Sequence, residues 1–200
     1  ELRKMADRVP SSSGTVEWGT NEFTGCAVEE IETLGVEGDD EQVMKVVVKY
    51  HSEQMAQAYI GDKDLDRAKK NALIAAKGIH LLDSSAGNNV GYILLRLNEY
   101  EHAVAGLECA VQKGPRNSLA KYNLGIAYAK TGNISKAVET LEEASKLAGD
   151  LPDEFTECLL IPVVRDEKIE LEERWRDEED RTSFVLREIA ESAVETLESL

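Results

Sequence analysis

The sequence predicts an all-α chain built from stacked helix hairpins, and three observations carry that prediction. Within residues 118–148, Leu124, Gly125, Tyr128, Ala137, Leu141 and Ala144 recur at helical spacing on either side of the turn Thr131-Gly132-Asn133. The same design stands 34 residues upstream, where Val90, Gly91, Leu94, Ala103, Leu107 and Ala110 match those six positions one for one. Composition agrees: four prolines, 6% aromatics and Ala- and Glu-rich segments suit helices throughout.

The later unit predicts one helix over 122–130 and a second over 135–147, with Gly132 as the stop because glycine takes the left-handed conformation cheaply. Gly125 and Ala137 let the two backbones approach, while Tyr128 and Leu141 fill the space beside them. In the middle unit Asn98 replaces Gly132, Tyr100 replaces Ile134 and Pro115 closes the repeat. A fainter copy, offset by 35 residues, runs through Met55, Ala56, Tyr59, Leu65, Ala68, Ala72 and Ala75. A 34-residue helix-turn-helix period with small residues at these places resembles the tetratricopeptide repeat family over about residues 49–149. The tryptophan usual near the start of that family's first helix is absent, with Glu53, Gly87 and Lys121 in or near its place. The resemblance implies a tetratricopeptide-like right-handed superhelix, with flanking N- and C-terminal helices.

In chain order, residues 1–22 form a linker or N-terminal segment around Pro10-Ser-Ser-Ser-Gly14. Residues 23–48 hold helices leading into the array. The three hairpins occupy 49–82, 84–117 and 118–149. Beyond them, 150–200 is expected to be an acidic helical extension, with a short helix ending near Leu160, further helix from about Val163, and Trp175 amid acidic residues. Leu186, Ile189, Ala193 and Leu197 form a stripe at spacings of three and four, a packing or assembly surface.

Net charge is −16, and it is unevenly placed. The repeats are near neutral and the acid lies in the flanks, so the chain lacks the basic surface that nucleic acid or anionic membranes require. No apolar run approaches the roughly 20 residues of a membrane helix. Three separated cysteines, Cys26, Cys109 and Cys158, suit buried thiols in a reducing compartment, hence an expected cytoplasmic location. The chain opens on Glu1 rather than Met, which leaves a targeting segment upstream open.

Chemistry finds little support. There is no phosphate-binding glycine loop, no Cys-x-x-Cys and no paired histidine; His51, His80 and His102 each lack a ligand set. No catalytic residue, metal site or cofactor is expected, and the chain is read as a non-enzyme.

The family's first helices line a concave groove that commonly holds a partner's peptide or helix. Carried onto this chain, that implies a groove of Tyr50, Glu53, Gln57 and Ile60 from the first unit. The second would give Asn88, Tyr92, Leu95 and Arg96, and the third Leu119, Tyr122, Ile126 and Lys130. A carboxylate clamp like that of co-chaperone relatives is not assigned: Asn89 fits it, whereas Leu119 and Asn123 stand where basic residues would be needed. The expected role is a non-catalytic scaffold for a protein or peptide partner. The alternatives are a self-assembling homo-oligomer, joined by hairpin stacking or the terminal stripe, and a co-chaperone adaptor. A fold-back of residues 166–180 onto the groove, anchored by Trp175, is the sharpest expectation.

Overall fold

A computed structural model describes residues 64–149, 158–176 and 185–200, together with the backbone of 15–18 and 21–24. Near the N-terminus, β1 (Thr15–Trp18) and β2 (Asn21–Thr24) pair antiparallel where the sequence suggested only a linker. The expected helices between residues 26 and 60 lie outside the described residues.

The array begins with α1 (Leu65–Lys77), whose Ala68, Ala72 and Ala75 are buried. The helix α2 (Ser84–Arg96) pairs with α3 (Tyr100–Lys113), and α4 (Ser118–Lys130) with α5 (Ile134–Leu147). Both hairpins form at the expected 34-residue period. Asp83 caps α2 by accepting from the Ala86 amide at 2.8 Å, and Asn117 caps α4 from the Ala120 amide at 2.9 Å. The two turns are equivalent as well: Asn98 and Gly132 both take positive φ, at 60° and 79°. At the crossings, a methyl group on Gly91 would stand 2.6 Å from Cδ2 of Leu107, and one on Gly125 2.6 Å from Cγ of Leu141. Glycine is what lets these leucines seat.

The core runs from Ala72 through Val90, Leu94, Leu107, Leu124 and Leu141 to the last helix, α6 (Leu186–Glu198). All four stripe residues, Leu186, Ile189, Ala193 and Leu197, are buried, and α6 packs on α5 as a cover for the end of the array. The Arg187 guanidinium donates to the carbonyl of Ala148, just past the end of α5, at 2.9 Å.

One expectation fails. Helix was expected from about Val163 onward, but the chain forms a strand hairpin, β3 (Cys158–Arg165) and β4 (Lys168–Trp175). Its two-residue turn, Asp166-Glu167, takes positive φ at both positions, 48° and 61°, as a tight hairpin turn demands. Pro162 sits opposite Leu171, two pairs beyond the Val164–Ile169 pair. Counting from the turn, that is a non-hydrogen-bonded position, so the missing N–H costs no ladder bond. The fold remains all-α apart from these small strand pairs.

Candidate partner-binding face

The first helices of the two described repeats, α2 and α4, present matching stripes. Asn88, Tyr92 and Arg96 lie four residues apart on α2, and Tyr122, Ile126 and Lys130 lie 34 residues further on along α4. Each stripe ends in a cation at the helix C-terminus, where the helix dipole favours positive charge.

The strand hairpin lies on this face. The Tyr122 hydroxyl donates to the carbonyl of Leu160 at 2.9 Å, and Lys130 Nζ to the carbonyl of Ile169 at 2.7 Å. Arg96 Nη2 pairs with Glu173 Oε1 at 2.6 Å. The Tyr92 hydroxyl is buried beside the Cys158 thiol without a well-formed hydrogen bond. The register explains the pattern. With Arg165 and Lys168 as the hydrogen-bonded pair next to the turn, the carbonyls of Leu160 and Ile169 point away from the partner strand, toward side chains on α4. Cys158 and Glu173, which share a face of the hairpin, meet α2. Leu160, Ile169 and Leu171 pack on the repeat core.

Burial tunes the phenols. Desolvation pushes both Tyr92 and Tyr122 well above the ordinary tyrosine value, and it raises the Cys158 thiol. Lys130 Nζ also stands 4.9 Å from the ring centre of Tyr100, a cation–π contact that holds the ammonium over α3. Inside the face, Asn123 Nδ2 donates to Asn88 Oδ1 at 2.8 Å and ties α4 to α2.

Of the residues assigned to the groove from sequence, Tyr92, Arg96, Leu119 and Lys130 are half-buried, while Asn88, Leu95, Tyr122 and Ile126 are buried. Leu95 is a core residue. Tyr50, Glu53, Gln57 and Ile60 lie outside the described residues. The expected contacts of Arg96 and Lys130 with the acidic segment are present, but Trp175 does not anchor it. Its ring is 58% exposed, and its Nε1 donates to the neighbouring Glu173 at 3.1 Å. The residues missed from sequence are the strand carbonyls and Cys158. Two signals pointed to them: the run Ile161-Pro-Val-Val164 and the alternation Ile169-Glu-Leu171-Glu.

Residues 119–151, which contain all of α5 and nearly all of α4, match the tetratricopeptide repeat family. The helix hairpins are tetratricopeptide repeats. Over 97 residues, 46% of this chain, the sequence is 29% identical to anaphase-promoting complex subunit CDC16 of Saccharomyces cerevisiae. The chain covers only 12% of that subunit's length. A tetratricopeptide array of this kind has a general role in protein–protein interaction. No described helix is long and apolar enough to cross a membrane.

Proposed function

We propose that this chain is a non-catalytic interaction scaffold whose inner face, lined by α2 and α4, holds a segment of a protein partner. One observation carries the reading: the inner-face side chains Tyr92, Arg96, Tyr122 and Lys130 already meet a polypeptide segment, the chain's own strand hairpin. The likeness to a subunit of a multiprotein complex supports a place in a protein assembly. Burial of Leu186, Ile189, Ala193 and Leu197 within the chain favours the scaffold over self-assembly through that stripe. Free thiols at Cys109 and Cys158 suit a cytoplasmic setting.

The test is affinity capture from cells of the source organism with the wild-type chain and with Arg96→Glu plus Lys130→Glu. Proteins retained by the wild type should be lost from the double variant while its helical circular dichroism stays unchanged. Retention of the same set by both removes the inner face as the partner site. Light scattering across a concentration series should give one constant monomer mass; a mass that rises with concentration would favour the assembling alternative.

A further inference from the structure

We propose that the inner face recognises an extended apolar–acidic strand through its backbone carbonyls, and that the hairpin of β3 and β4 is a resident occupant which a partner strand of that chemistry displaces. This rests on reading the inner face as the partner site.

The donors decide against a helical ligand. Tyr122 and Lys130 both reach main-chain carbonyls, those of Leu160 and Ile169. In a helix the interior carbonyls are consumed by amides four residues on, so only extended backbone offers them along its length. Spacing supplies the rest of the code. Ile169 and Glu173 lie four residues apart on one strand, about 13 Å at the strand rise. That span lets one strand satisfy Lys130 on α4 with a carbonyl and Arg96 on α2 with a carboxylate. Between these points Ile169 and Leu171 rest on the repeat core. The minimal ligand is therefore an extended segment with apolar residues at its first and third positions and Glu at its fifth, as in Ile169-Glu-Leu-Glu-Glu173.

The resident hairpin fits imperfectly, which makes exchange feasible. Its turn sets Asp166 and Glu167 in the left-handed region without a glycine. The buried Tyr92 hydroxyl gains no well-formed hydrogen bond from it. Its Arg96–Glu173 pair is partly exposed and therefore weak.

The probe is a fluorescein-labelled peptide with the sequence of residues 158–175, set against a peptide of the same composition reordered for helical amphipathicity. Full-length chain with Ile169→Asp and Leu171→Asp opens the resident hairpin and leaves α2 and α4 untouched. By fluorescence anisotropy this chain should bind the first peptide at least ten-fold more tightly than wild type, and adding Arg96→Glu with Lys130→Glu should abolish binding. Should the opened chain lose its helical circular dichroism, hydrogen exchange on the wild type replaces it: excess peptide should speed exchange of amides 168–175 several-fold and leave those of α2 to α5 unchanged. Equal binding of the helical permutation overturns the strand inference while leaving the inner face as partner site. Binding that survives the Arg96 and Lys130 substitutions removes both. No binding to a folded opened chain, or no change in exchange where that replaces it, shows the hairpin to be a fixed part of the fold and overturns the inference alone.

Discussion

The helix hairpins and the strand hairpin are held by contacts of different kinds. In α2–α3 and α4–α5 a glycine on one helix receives a leucine from the other, Gly91 with Leu107 and Gly125 with Leu141, and the fit recurs 34 residues apart. Each such leucine is fully buried, which contributes about 1.5–3 kcal/mol. The strand hairpin instead meets α2 and α4 largely through two carbonyl contacts and a partly exposed ion pair. A typical hydrogen bond contributes about 0.5–1.5 kcal/mol and an exposed ion pair about 0–1 kcal/mol. The array therefore has the means to stay folded while the strands open, as a scaffold with an exchangeable occupant requires.

The largest effect should come from the cover helix, which belongs with the interlocked elements. Leu197 is almost completely buried at the far end of α6, and Leu197→Ala should cost about 2–5 kcal/mol and lower the melting temperature of the whole array. A melting temperature that does not move would place α6 with the strands instead.

Next are the crossings themselves. Gly91→Leu and Gly125→Leu should each cost about 1–3 kcal/mol by overpacking. Gly125 should be the worse of the two, because a Cβ there also stands 3.2 Å from the backbone carbonyl of Ala137, whereas the nearest neighbours of Gly91 are Leu107 side-chain atoms that can turn. Thermal melts of the pair check both the size and the order. Unchanged melting for both would contradict the crossing geometry.

The repeats were legible in the sequence because packing wrote the same residue sizes twice at a fixed period. Val90/Leu124, Gly91/Gly125 and Leu107/Leu141 fix a register, and that register carried Tyr92, Arg96, Tyr122 and Lys130 onto one face. The strand hairpin was hidden by local propensity. Leu171 and Trp175 stand four apart among glutamates, as an amphipathic helix would place them, and Asp166-Glu167 lacks the Gly or Asn that usually marks a two-residue turn. What overrides that propensity is tertiary: Tyr122 and Lys130 offer donors to strand carbonyls, and the core takes Leu160, Ile169 and Leu171 from the same side. Context of this kind is not written in the segment itself.

Alkali should separate the two regions through their tyrosines. Tyr92 and Tyr122, beside the hairpin, are raised by burial; Tyr128, within the last repeat, is pushed up to about 12 by burial and by its 2.6 Å hydrogen bond to Glu108. Below about pH 10 all three are neutral folded and unfolded, so they add no pH dependence. Above it the unfolded chain loses protons first, and stability falls by about 1.4 kcal/mol per pH unit for each tyrosine still protonated in the fold. Tyr122→Phe should remove one such share from the slope of stability against pH, measured by urea titrations between pH 9 and about 11. An unchanged slope would mean that Tyr122 ionises freely in the folded chain.

The smallest expected effect falls on the hairpin alone. Arg96 and Glu173 keep 23% and 38% of their side-chain surface exposed, so water and salt screen their attraction and Arg96→Ala should cost under about 1 kcal/mol. Because the helix crossings do not depend on that pair, the melting temperature should stay within error of wild type. The local consequence should be larger than the global one. Glu173 holds β4 against α2, and its other oxygen accepts only from the indole of Trp175 on the same strand. Amides of 168–175 should therefore exchange several-fold faster in Arg96→Ala, while those of α4 and α5 keep wild-type protection. Trp175 fluorescence is a poor reporter of this opening, since its ring is exposed with the hairpin in place. If Arg96→Ala instead lowers the melting temperature as far as Gly91→Leu does, the strands are as integral as the helices, and the distinction between interlocked array and exchangeable occupant falls.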